Sequence, residues 1–304
     1  MTTASAHLPL TPAAPVRYHR RRRVLPGFGI AFGYTVTYLS LIVLIPLAGL
    51  ALKTFHLSWA EFWGTIKDPL VVAAFRLTFA ASLVAAVING MFGLLVAWVL
   101  VRYPFPGRRL FDALVDFPFA LPTAVAGLTF ANLYAGEGWY GRSGIGAATA
   151  GALGWLLNTL GVGGDDRSVG AVAIVLVFVG LPFIIRTVQP VLQDLDRDVE
   201  EAATSLGATR WYTFRRVIFP TLLPAWLSGL ALSFARAVGE YGSVIFVAGN
   251  IPGKSQIAPL QIITKLDDFR YEQATAIAIV LLAASLAVLL VINGIEWWSK
   301  RHEG

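Results

Sequence analysis

The chain has 304 residues, 56% hydrophobic and only 14% charged, with a net charge of +6 and a mean hydropathy of +0.67. Soluble domains carry about 25% charged residues, so a soluble enzyme is all but excluded. No cysteine is present and the four histidines are scattered, which removes thiol nucleophiles, disulfide frameworks and Cys-built metal sites.

Residues 1–23 read as a disordered, basic tail that ends in the run Arg20 to Arg23. A bilayer core about 30 Å thick needs roughly 20 apolar residues in a helix. Six runs meet that length, and they predict an all-α integral membrane protein with six transmembrane helices over 24–298. The spans are 24–52, 71–101, 112–136, 168–190, 217–247 and 273–297. The second carries Arg76 near its outer boundary, where the side chain can snorkel. The fifth carries Arg236 and Glu240 within it, and the last closes on Trp297, Trp298, Lys300 and Arg301, an interfacial anchor. Between the third and fourth, the glycine-rich stretch Ser143 to Gly164 is also free of charge. It is read as an outer loop with room for a short interfacial helix, because a span there would turn the basic loop around Arg210, Arg215 and Arg216 outward.

With six spans, fifteen basic residues fall on the side of the two tails and seven on the other. The positive-inside rule then puts both termini, including the 299–304 tail, in the cytoplasm. The arginine run is a topology signal and a contact for anionic membrane lipids, and no nucleic acid is expected. The string Ala248 to Ser255 (AGNIPGKS) fits a relaxed phosphate-binding loop. Such loops need a preceding strand and a cytoplasmic supply of nucleotide, and this one lies between two membrane helices on the outer side. It is read as a Gly/Pro turn.

The inner segment 191–219 is the most informative. Asp198 with Glu201 three residues on suggests a capping box, Gly207 a left-handed stop, and Thr209 the start of a second short helix. Ala202 and Ala203 leave a surface without bulk on which another protein can approach, and Glu201 can reach a donor on it. The order Glu201-Ala202-Ala203, Gly207, and the closure Val217-Ile-Phe-Pro220 resembles the EAA loop of bacterial ABC importer permeases. The closure departs conservatively from that family's usual Ile-x-Leu-Pro.

Further strings narrow the resemblance: Arg23-Val-Leu-Pro-Gly-Phe28, Asp116 to Gly127 (DFPFALPTAVAG), Pro182 to Pro190 (PFIIRTVQP) and Ala237 to Gly242 (AVGEYG). Together they are similar to the sulfate/thiosulfate permeases of the CysT (CysU) type. The resemblance implies the type I (MetI-like) ABC importer fold in a bacterial inner membrane. It implies partners as well: a second permease, an ABC ATPase dimer and a periplasmic sulfate/thiosulfate-binding protein. Glu201, Ala202, Ala203, Gly207 and Pro220 would form the ATPase-coupling loop. This chain would bind no cofactor and hydrolyse no ATP, which the partner ATPase uses.

Two charges inside a span by default suggest a pathway role. Arg236 and Glu240 stand one helical turn apart and can also form a structural salt bridge. Pro118, Pro122 and Pro182 are expected to interrupt their spans, exposing amides that could solvate an anion. Candidate anion-pathway residues are therefore Arg236, Glu240, Pro122 and Thr123. Two alternatives stay open: another oxyanion such as molybdate in the same architecture, or a self-sufficient secondary transporter.

Overall fold

The computed structural model describes residues 28–134, 145–161 and 166–301, so the expected tail at 1–23 lies outside it, and of the tail expected at 299–304 only 299–301 are described, as the end of the last helix. The chain divides into two compact units, one up to Gly49 and one from Leu50. All of the first unit's described part belongs to α1 (Phe28–Thr54), which is apolar on every face and free of charge before Lys53. It is long and apolar enough to cross a membrane.

In the second unit, α2 (Trp59–Ile66) starts at a full capping box. The Ser58 amide and hydroxyl donate to the Glu61 carboxylate, and these bonds hold Glu61 below the usual carboxylate range. Next comes α3 (Pro69–Arg102), capped by Asp68 with proline at its first position, where a missing N–H costs nothing. The region expected as one span over 112–136 is instead three pieces: α4 (Arg108–Val115), α5 (Phe117–Ala120) and α6 (Thr123–Tyr134). Leu121 sits at ψ 130, in keeping with the clash by which the ring of Pro122 disfavours the helical conformation in the residue before it.

The glycine-rich stretch is helical over α7 (Ile145–Thr159), about 22 Å long and so shorter than a bilayer core. It packs along one face and leaves Trp155 and Leu156 exposed on the other. Ala150 and Leu157 are buried, and the Ala150 carbonyl lies against Gly170.

The helix it packs on, α8 (Asp166–Asp194), runs unbroken through Pro182 and Pro190. The expected interruption at Pro182 is therefore absent. The cause is packing: 67% of the apolar stretch of α8 is buried, and neighbours on several sides hold its path. Val172, Ala173 and Leu176 meet Leu77, Ala81 and Ala85 of α3 in one cluster; Ile184, Ile185 and Val188 meet Ala97 and Leu100 in another.

Beyond α8 come α9 (Arg197–Ser205), α10 (Arg210–Thr213), a π-helical turn (Phe214–Ile218) and α11 (Phe219–Val238). The fifth span was expected to run to 247. It stops at Val238, and a turn leads to α12 (Val244–Val247). Helix α11 crosses α3 through buried polar contacts: Asn89 donates to the Ser233 hydroxyl (3.1 Å), and the Trp226 indole donates to the Gly90 carbonyl (2.9 Å). The described part ends with α13 (Ala258–Asp267) and α14 (Tyr271–Arg301). Among the described residues the structure is entirely helical, and five of its helices are long and apolar enough to cross a membrane.

Candidate functional site

The loop from α8 to α11 builds a knob from two short helices. Its first cap is Asp196, whose side chain accepts from the Asp198 amide at 3.3 Å, so the cap expected at Asp198 lies two residues earlier. At the other end of α9, Gly207 adopts φ +83, the left-handed stop read from the sequence. The Gly207 amide donates to the Thr204 carbonyl (2.9 Å) and the Ala208 amide to the Ala203 carbonyl (3.0 Å). These two bonds close a Schellman motif and satisfy the carbonyls that end the helix. Thr209 then caps α10 by accepting from the Tyr212 amide.

Glu201 and Ala202 are exposed and Ala203 is half-buried, as a docking surface requires. The knob also exposes three large side chains that the sequence reading passed over: Leu206 at 88%, Trp211 at 68% and Tyr212 at 58%. Large apolar groups in an otherwise polar loop were the available signal. Two contacts fix the knob to the membrane helices. Arg102, at the end of α3, pairs with Glu200 at 2.6 Å and donates to the Leu195 carbonyl at 3.3 Å. The Phe214 ring packs edge-on against Trp98 and stacks on Trp211. Between knob and α3 lies a cavity of about 430 Å³, lined by Arg102, Glu200, Glu201, Thr204 and Arg210 among others.

Pro220 closes the loop, as read. It lacks the amide that would bond four residues back, and its ring crowds the carbonyl there. The backbone responds by widening: the Phe219 amide reaches the Phe214 carbonyl five residues back, which makes the π turn.

A second group of residues meets where α11 ends. Arg236 and Glu240 pair at 2.5 Å, and Glu240 is 1% exposed while the arginine side chain is 35% exposed. The other Glu240 oxygen accepts from the Ser243 amide (3.0 Å) and hydroxyl (2.6 Å). One carboxylate thus neutralises the arginine and caps the turn. Helix α6 lies directly on that turn. A Cβ on Gly127 would meet the Ser243 carbonyl oxygen at 2.5 Å, and Gly242 touches the Thr123 hydroxyl. Thr123 and the Glu240 turn are therefore brought together. Pro122 contributes its carbonyl, which accepts from the Val125 and Ala126 amides. That leaves the first two amides of α6, at Thr123 and Ala124, without an intrahelical acceptor, an arrangement that favours an anion.

Unforeseen from the sequence is a clamp on α8. Arg186 binds both carboxylate oxygens of Asp116 (2.8 and 2.7 Å), Asp112 (2.8 Å) and the Gln189 carbonyl oxygen (2.5 Å). It straps α4 and α5 to α8.

The phosphate-loop-like string behaves as a turn. It follows the helical α12 rather than a strand, with positive φ at Gly249, Asn250 and Gly253. The buried Ser255 hydroxyl donates to the Ala248 carbonyl and accepts from the Ile251 amide, so it closes the loop on itself.

The family described as binding-protein-dependent transport system inner membrane component matches residues 89–298. The sulfate transport system permease protein CysT of Escherichia coli (strain K12) is 47% identical over 279 residues, covering 90% of this chain and 94% of that one. The CysT protein of Synechocystis sp. is 44% identical over 290 residues, covering 95% and 96%. Among solved structures, a bacterial ABC transporter that imports the acidic polysaccharide alginate superposes with a TM-score of 0.66 at 14% identity, over 88% of this chain and 94% of that one. A bacterial alginate ABC transporter in complex with an alginate pentasaccharide-bound periplasmic protein gives 0.65 at 15% identity over the same shares.

Proposed function

The chain belongs to the binding-protein-dependent transport system inner membrane component family, and from that premise we propose how it carries sulfate. It is a multi-pass membrane protein and the permease subunit of an ABC-type sulfate importer. The α9–α10 knob docks on a separate ATPase that binds the ATP. The observation that carries this reading is the knob itself, a capped pair of short helices with Glu201, Ala202, Leu206 and Trp211 presented outward. When ATP draws the ATPase pair together, the knob moves as one body. The Arg102–Glu200 pair and the Trp98–Phe214 contact pass that motion to α3 and α11.

The anion arrives from a periplasmic sulfate/thiosulfate-binding protein and moves between this chain and a second permease. At the corner beside Glu240, the first amides of α6 and the Thr123 hydroxyl solvate it. Arg236 is already neutralised by Glu240, so its role is to hold the corner's shape. Both termini and the knob face the cytoplasm.

Uptake of labelled sulfate into vesicles carrying the reconstituted complex tests the reading. Saturable, ATP-dependent uptake that excess molybdate fails to compete away is expected. Molybdate carried in preference to sulfate would overturn the substrate, and uptake without an ATPase would overturn the class.

Reporter fusions test the orientation. Fusions after Arg109 and Arg216 should report cytoplasm, and fusions within 145–161 should report the outside. The reverse pattern at either set would overturn the topology.

A further inference from the structure

Two cations converge outside the region assigned above. Arg76 sits seven residues into α3, about 10 Å along its axis from Pro69. Lys254 is brought over the same stretch of α3 by its loop, which is fixed there on both sides. Gly253, at φ +73, packs against Leu70, and the Ala258 amide donates to the Thr78 hydroxyl at 2.8 Å. Arg76 and Lys254 share a cavity of about 260 Å³ whose other lining includes Val72, Ala73 and Gly161. Among the described residues, none that lines it is acidic and neither cation forms an ion pair.

Arg76 and Gly161 also line a second cavity, of about 450 Å³, which continues along α3 past Phe79, Ala80 and Leu83, with Leu160 opposite. The two cavities thus meet at Arg76. The first offers two cations, and the second, beyond Arg76 at its mouth, offers apolar wall. An inorganic anion would use the charged mouth and leave the trough empty, whereas a molecule with an anionic head and a hydrocarbon chain matches both. A cation within a membrane-spanning helix also calls for a counter-charge at its own depth.

We propose that this groove between α3 and the end of α7 is a binding site for an anionic phospholipid. Its phosphate lies between Arg76 and Lys254, and one acyl chain follows Phe79, Leu83 and Leu160.

The test is lipid analysis of the full-length chain purified in mild detergent and washed until loosely held lipid is gone. The unmodified chain should retain anionic phospholipid. The pair Arg76→Gln with Lys254→Gln should lose it, Leu83→Gln should weaken retention, and the charge-preserving pair Arg76→Lys with Lys254→Arg should keep it. Equal retention in the charge-neutral pair would overturn the site. So would a finding that labelled sulfate binding, rather than lipid, follows the two cations. Loss of binding-protein docking with lipid content unchanged would reassign the patch to a protein partner and overturn the proposal equally.

Discussion

Gly207→Val and Glu201→Arg are expected to reach the membrane normally and to lose most ATP-coupled sulfate uptake. At Gly207 the obstacle is conformational, because no atom lies within 4 Å of where a Cβ would stand. A left-handed backbone at φ +83 costs a residue with a side chain roughly 1–2 kcal/mol, and a β-branched one more. That is about a five- to thirtyfold bias against the Schellman turn. It is too little to unfold spans stabilised by their own burial, but enough to misplace α9. Glu201→Arg leaves the turn intact and reverses the charge of an exposed side chain beside Arg210. Vesicle uptake, read together with co-purification of the ATPase, separates the steps. Normal association and normal uptake in both variants would refute the knob as the coupling element.

Glu240→Ala is the second large effect. Removing this carboxylate deprives Arg236 of its partner and leaves the buried Ser243 amide without an acceptor. Breaking a buried pair from one side costs about 3–5 kcal/mol. The lower end applies here, since part of the arginine remains exposed. The yield of folded complex should fall sharply, and sulfate uptake with it. Arg236→Ala combined with Glu240→Ala removes both charges and should recover yield and a good part of the uptake, because a vacated ion pair costs less than a broken one. Recovered yield with uptake still absent would place Arg236 on the anion itself and overturn its assignment as a structural partner.

Features set by local chemistry were legible in the sequence. Hydropathy located the long helices, and a glycine after a short polar helix located the left-handed stop at Gly207. Spacing of one turn located the Arg236–Glu240 pair. Prolines were legible only in part. Pro122 breaks the chain where α6 lies on a turn and no continuous helix surrounds the break, whereas Pro182 is carried straight through by the packing of α3 and α11 around α8. The same residue type therefore gave opposite outcomes, decided by neighbours more than 30 residues distant. A short helix in the glycine-rich stretch was allowed by the sequence but its partner was not legible: Gly170 on α8 lets the Ala150 backbone of α7 approach closely. Arg186 with Asp112 and Asp116 was invisible for a related reason: about 70 residues separate the partners, and no periodicity links them. The corner proposed for the anion depends on the contact of α6 with the Glu240 turn, which is equally remote along the chain.

The π turn at Phe214–Ile218 sets the angular phase of the knob about the α11 axis. Each residue of an α-helix advances the chain by about 100°, so one residue more or fewer in that segment rotates everything before it by that angle. With regular α geometry throughout, Trp211 would point a quarter-turn away from its present direction. Phe214 could not meet Trp98 and Trp211 together. The direction in which the knob faces is therefore written in the winding of five residues, and Pro220 keeps that winding from relaxing.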